Sequence, residues 1–412
     1  MVSYTRGLLM KNLGISKSKE MLKGLGLMIT SILVLLFIIE IIIRLTEPRE
    51  IMRYFYVTDD PVLHHKFVPN SIGRYKTVEF DIDYTINSLG LRDKEYTVEK
   101  PPKTFRILML GDSFIEGDGI YSNETCSKRL EAMLDTVRSD IRWEVINAGV
   151  GSYSPLLEYL YLKYHGLQLQ PDLVILGFDL SDVYDDIQYS KLAQVDSSGI
   201  PIAVSPSPPE PAASWFTEAL VSIKDFFKDN TRLYNFIRIR IDRQVEAMKH
   251  EGVFTGDLQY DKYAMLRDNY KSTDDRDWTL TYKYLLLIRD TLRERGIDFW
   301  LTIHPYGLQI HPREWLDGRQ YWGFKPDTIY SMQPQKYVEE FCKRNNIYVI
   351  NLCGDFKRLS QNVFPLYYNY NGHWLAAGHE LVADVLYRHL GSIIERETRP
   401  HTHFAVSVNN QP

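Results

Sequence analysis

The chain has 412 residues, 44% of them hydrophobic and 25% charged, with a formal net charge of −5. That length fits one large or two ordinary domains, and the composition is globular rather than fibrous or disordered. The acidic balance gives no basic face for nucleic acid. The three cysteines, Cys126, Cys342 and Cys353, form neither a disulfide framework nor a C-x-x-C metal site.

The first element is "GLGLMITSILVLLFIIEIII", residues 24–43, with the single charge Glu40. Twenty helical residues span about 30 Å, the thickness of a bilayer core, so the stretch predicts a transmembrane anchor in the cytoplasmic membrane. Arg6, Lys11, Lys17, Lys19 and Lys23 precede it, with Glu20 as the only acid. That excess assigns 1–23 to the cytoplasm and the bulk of the chain to the far side. The flank "RLTEPRE" has no small-x-small cleavage site, so the anchor reads as single-pass and uncleaved. Glu40, near the outer end, reads as snorkelling to the interface.

Residues 45–100 are polar and aromatic. Alternating stretches such as "YKTVEFDIDYTI" (75–86) predict strands of a small N-terminal extension. From 105 the rhythm changes. "FRILMLG" is a run suited to a strand buried on both faces, and the helical "SKRLEAMLDTV" follows it. "WEVINAG" (143–149), the helical "PLLEYLYLKYHGL" and "PDLVILGF" (171–178) continue the alternation. This predicts an α/β fold with a central parallel sheet, a three-layer sandwich of flavodoxin-like strand order 2-1-3-4-5. After the Pro/Ser loop "SPSPPEPAAS" (205–214), helical segments rich in Tyr, Arg and Asp suggest an insertion over about 190–295, covering one side of the sheet. "IDFWLTIHP" (297–305), "IYVINLC" (347–353) and a helix near "GHELVADVLYRHL" complete a domain spanning 101–395. Residues 396–412 read as a disordered tail.

In an open parallel sheet, ligands bind beyond the carboxyl ends of the strands, near the point where strand order reverses. Those ends here carry Gly-Asp-Ser (111–113), "NAGVGSYSP" (147–155), "GFDLSDVYDD" (177–186) and, after the fifth strand, "NYNGHWLAAGH" (369–379). A serine, two donor-rich turns and a histidine converge on one edge. Serine needs a base to remove its proton, and histidine has the pKa for that near neutrality. Backbone N–H groups at the opening of the following helix can hold an oxyanion. Gly149 and Gly151 permit a second backbone segment to approach closely, and Ser181 offers a hydroxyl.

These blocks resemble the SGNH (GDSL-like) hydrolase superfamily, and more narrowly its bacterial membrane-anchored or secreted members implicated in O-acyl chemistry on polysaccharides. The resemblance covers about 85–395, starting at "INSLGLRD" (86–93). It implies Ser113 as nucleophile and His373 as base, no cofactor or metal, and an ester or O-acylated glycan as substrate. Three positions depart from the family pattern. Ser152 stands where the second block has a glycine donor, so only its N–H carries over. Ser181-Asp182 replaces Asn-Asp, turning an amide donor into a hydroxyl. Asn371 stands two residues before His373, where an Asp belongs.

An amide orients an imidazole without supplying charge. In serine proteases the Asp-to-Asn change costs roughly 10⁴ in rate. Three readings follow: a weak Ser–His dyad with Asn371 as orienting partner, recruitment of Asp179, Asp182 or Asp355 as the acid, or a glycan-binding or assembly protein without turnover. Among the remaining residues, His379 reads as structural and His304 as either pocket lining or structure. His64-His65 reads as surface. Trp315, Tyr321 and Trp322 read as core packing, with sugar platforms as the functional alternative.

Overall fold

The computed structural model describes residues 2–46, 57–77, 79–137, 140–206, 257–258, 261–270 and 278–398, with short pieces between 222 and 237. The chain divides into two compact units, 1–49 with 210–251, and 50–209 with 252–412.

In the first unit, helix α1 (Val2–Thr46) contains the stretch Lys23–Leu45, which is long and apolar enough to cross a membrane. The side chains of Lys23–Leu45 are exposed nearly all round, as a lipid-facing helix requires. Glu40 departs from the expected snorkelling. Its carboxylate accepts from Arg44 Nε at 2.6 Å and from the Leu233 backbone N–H at 2.7 Å. It therefore joins the helix to Leu233 of the same unit.

The second unit is built on five parallel strands: β1 (Thr104–Leu110), β2 (Arg142–Asn147), β3 (Leu173–Phe178), β4 (Asp298–Ile303) and β5 (Tyr348–Asn351). Their order across the sheet is β2-β1-β3-β4-β5, the expected 2-1-3-4-5. Every residue of β3 is buried, because helices cover both faces. Helices α3 (Cys126–Leu134) and α8 (Ala376–His389) pack together on one face. On the other lie α4 (Pro155–Tyr164), α5 (Ser181–Ser190), α6 (Thr279–Arg293) and α7 (Gln333–Arg344). The adjacent carboxyl ends of β1 and β2 turn into the site.

Three boundaries differ from the sequence reading. Helix α6 packs on α4 and α5 and feeds β4, so it is a crossover of the sandwich and not part of the insertion. The described start of that insertion is a hairpin, Ala193–Val195 with Pro201–Val204. Residues 396–398 complete the helix Gly391–Thr398, and 399–412 lie outside the described residues. The extension forms two antiparallel hairpins, Val57–Asp60 with His64–Phe67 and Ile72–Lys76 with Asp81–Thr85. The first lies over the end of β2. His65 Nε2 is 2.8 Å from the Gly151 carbonyl, and Tyr153 donates to the His65 carbonyl at 2.8 Å. His65 is therefore a packing residue rather than a surface one. All three cysteines are free and buried.

Asp186 ties three helices of one face together. It accepts from the Ser154 hydroxyl at 2.7 Å, the Leu156 N–H at 3.0 Å and the Thr281 hydroxyl at 2.6 Å. Burial pushes its pKa up to about 7 from an ordinary 3.8. The folded state thus holds this proton more tightly than the unfolded chain does. The resulting stability is full below the unfolded pKa and is lost as pH rises toward 7. Thermal unfolding of the full chain in detergent should show Tm falling by several degrees across that window. Asp186→Asn should flatten the slope, and an unchanged slope would refute the assignment.

Candidate active site

Strand β1 ends at Leu110, and the chain turns sharply through Gly111 and Asp112 into α2 (Ser113–Glu116). Asp112 caps this turn by accepting from the Phe114 N–H at 2.9 Å. Ser113 Oγ lies 2.6 Å from His373 Nε2 across 260 residues of sequence. The Phe114 ring packs on the imidazole, with centroids 4.8 Å apart.

The histidine sits in a loop fixed from several sides. Tyr368 N–H donates to the His373 carbonyl at 2.9 Å, and the Tyr370 and Asn371 N–H groups donate to Glu79 at 2.9 and 2.8 Å. Gly372, at φ +81°, lies against the Trp315 indole, where a Cβ would sit 2.6 Å from its nitrogen. No other residue fits that turn without displacing a buried tryptophan. Asn371 Oδ1 accepts from the His373 backbone N–H at 3.2 Å and faces the ring Nδ1. An amide oxygen there selects the tautomer with a proton on Nδ1 and a lone pair on Nε2, toward Ser113.

A carboxylate also faces Nδ1, and it is none of the three the sequence suggested. Asp118 Oδ2 is 3.7 Å from His373 Nδ1, and its side chain has no solvent exposure. Asp355 instead pairs with Arg358 and Arg388. Asp179 accepts from the N–H and hydroxyl of Ser181 and from the Tyr306 hydroxyl, and Asp182 accepts from the Asp179 N–H. Asp118 reaches the histidine because the nucleophile's turn curls back on itself. Its N–H donates to the Ser113 carbonyl at 3.0 Å. Arg92, from the "LGLRD" block, clamps the same turn by donating to the carbonyls of Glu116 at 2.9 Å, Gly117 at 2.7 Å and Ile120. The available signal was "EGDG": an acid between two glycines, both at positive φ, five residues after the serine.

The predicted donors divide. Ser152 has φ +66°, the left-handed conformation that favours the glycine it replaces. Gly149 passes so close to the Ser113 turn that a Cβ would lie 2.3 Å from Glu116 N, which explains the glycine. Gly151 is not available as a donor, because its N–H is taken by Glu116 Oε2 at 2.6 Å. The Ser181 hydroxyl is likewise committed, to Asp179 at 2.7 Å. Asp182 is buried. Burial, and then the neighbouring Asp179, hold Asp182 well above the usual carboxylate range. The same causes raise Asp112, and burial followed by the Asp112 charge raises Glu158.

His304 is buried between Phe114 and Trp374, and burial pulls its pKa down to about 4. It backs the site as a neutral ring. His379 is structural, as expected, with Nδ1 accepting from the Cys126 N–H at 3.2 Å. Trp315 is core, whereas Tyr321 is exposed. Among the described residues, no group of three or more His, Cys, Asp or Glu is placed to hold a metal ion.

The structure thus brings a serine and a histidine within hydrogen-bond reach at the carboxyl edge of a 2-1-3-4-5 sheet. No family model matches the chain, and no curated protein matches it. Among solved structures it is similar to a gut microbial diltiazem-metabolizing enzyme, at 13% identity over 71% of this chain and 48% of that one, with a TM-score of 0.37. This chain thus spans about half the length of that enzyme. It is also similar to a catalytic mutant of an acetylxylan esterase from Geobacillus stearothermophilus, at 13% identity over 70% of this chain and 94% of that one, TM-score 0.37. A putative lipolytic protein of the G-D-S-L family from Desulfitobacterium hafniense matches at 12% identity over 69% and 98%, TM-score 0.33.

Proposed function

We propose that the protein is a membrane-anchored, extracytoplasmic ester hydrolase or O-acyltransferase acting through an acyl-Ser113 intermediate. The observation that carries this reading is the 2.6 Å approach of Ser113 Oγ to His373 Nε2. His373 takes the hydroxyl proton as Oγ attacks the ester carbonyl, and returns it to the departing alcohol. The oxyanion accepts from the backbone N–H groups of Ser113 and Ser152, in place of the committed Gly151 and Ser181. Water or a sugar hydroxyl then receives the acyl group. The substrate class, an O-acylated carbohydrate, follows from the resemblance of the sequence. Exposed Tyr370, beside Asn371, offers a ring face that suits a sugar.

Brief incubation of the full chain with an activated acetyl ester, followed by peptide mass spectrometry, should place the acetyl group on Ser113. Turnover with the acetyl group elsewhere, or none bound at all, would return the chain to the glycan-binding reading. The anchor has its own test. Alkaline phosphatase fused after residue 60 should be active, since five basic residues precede the apolar span. An active cytoplasmic reporter at that point would reverse the orientation.

A further inference from the structure

We infer that Asp118 supplies the negative charge that stabilises the His373 imidazolium, so that the acid of this site comes from the nucleophile's turn and not from the histidine's loop. The inference rests on the reading of Ser113 and His373 as nucleophile and base. It makes Asp118 a positioning residue that acts through His373.

The geometry separates two tasks that one aspartate usually performs. Asn371 Oδ1 accepts at Nδ1 and fixes the tautomer. Asp118 Oδ2 stands 3.7 Å from the same nitrogen, beyond a direct hydrogen bond but at ion-pair distance. When Ser113 Oγ bonds to the ester carbon, its proton moves to Nε2 and the carbonyl electron pair moves to oxygen. The ring then carries a full positive charge. An opposite charge within about 4–6 Å favours the charged form, and water does not screen one whose side chain is fully buried. When the proton passes to the leaving alcohol, the ring becomes neutral again.

The other groups around His373 do not take this part. Asp112 Oδ2 lies 3.4 Å from Ser113 Oγ rather than at Nδ1, and burial disfavours its charged form. His304 and His379 are neutral, both pulled down by burial. Arg92 is positive and spends its donors on the carbonyls of the Asp118 turn. Glu79 is engaged by the Tyr370 and Asn371 N–H groups. Tyr84 approaches the other Asp118 oxygen at 3.5 Å.

The deciding measurement is the titration of His373 by NMR in the full chain, ¹³C-labelled at histidine, in detergent micelles. The His373→Gln variant identifies its signal. In the unsubstituted protein the pKa should lie above the ordinary value of about 6.5. In Asp118→Asn it should fall by about one unit or more. The acidic limb of ester hydrolysis should move down by the same amount, because a base with a lower pKa stays neutral at lower pH. The plateau rate should drop about 10- to 100-fold, each pKa unit being worth about tenfold.

Asn371→Asp in the Asp118→Asn background should restore at least tenfold of the rate and move the limb back up. The same substitution in the unsubstituted protein should gain much less, since a charge is already in place. A His373 pKa at or below the ordinary value overturns the inference, including where Asp118→Asn fails to fold. So does an unmoved pKa in Asp118→Asn, or an equal gain from Asn371→Asp in both backgrounds. The NMR titration needs no turnover. Absence of acyl-Ser113 would sink the esterase reading, and an unmoved titration would sink this one.

Discussion

Ser113→Ala should reduce hydrolysis of an activated acetyl ester to the uncatalysed background, a loss of about 10³-fold or more. Removing the nucleophile of a subtilisin costs about 10⁶ in kcat; the smaller figure here allows for the amide at 371. His373→Ala should cost a similar factor, and the double variant should be no worse than either single one, because the two groups act as a unit. A fluorophosphonate probe should label the unsubstituted chain and fail on Ser113→Ala. Folding should be unaffected. The Ser113 hydroxyl contacts only His373, at 2.6 Å, and Asp112, at 3.4 Å, among the described residues. Neither contact joins secondary-structure elements of the core, so Tm should stay within a degree or two. Equal ester hydrolysis by the variant and the unsubstituted chain would remove Ser113 from the chemistry.

What the sequence disclosed and what it concealed divide along a physical line. Strand order was legible because each central strand is a short apolar run followed by a helix, and right-handed crossovers leave few topologies. The Ser113–His373 pair was legible because both stand at strand ends, where an open sheet gathers its site. Asp118 was not legible, since its role depends on the path of a turn rather than on a period. "GDSFIEGDG" does not announce that residue 118 bends back beneath a loop 255 positions away. The commitment of donors was hidden for the same reason. Gly151 and Ser181 looked available by residue type, and only their neighbours Glu116 and Asp179 remove them. Helix α6 falls within the insertion predicted from sequence because a composition shift marks where an insertion begins and not where it ends. The departure at Glu40 had a different origin. Hydropathy shows a charge near a membrane boundary but not the backbone N–H that meets it.

Arg106→Met should destabilise the sheet domain by about 3–5 kcal/mol, the usual cost of breaking a buried ion pair from one side. A charge in the middle of "TFRILML" contradicts a strand buried on both faces unless a partner is built in. The neighbouring strand provides one. Arg106 and Glu144 are directly opposed in the β1–β2 register, and Nε meets Oε2 at 2.6 Å with side-chain exposures of 0% and 2%. The rest of the guanidinium donates to the carbonyls of Leu169 and Thr97 at 2.7 Å and of Val98 at 3.0 Å. These bonds fasten the end of the N-terminal extension and the turn before β3 to the start of β1. Methionine would leave three carbonyls unsatisfied. It would also leave Glu144 with only Arg142, a largely exposed partner at 3.0 Å. At roughly 2–4 °C per kcal/mol for a domain of this size, Tm should fall by about 6–20 °C. Arg106→Met with Glu144→Leu should recover part of that loss, because no uncompensated charge remains. The recovery should be incomplete, since the carbonyls stay unpaired. Calorimetry of the three variants separates the charge from the hydrogen bonds. A single variant as stable as the unsubstituted chain would mean that water reaches the pair.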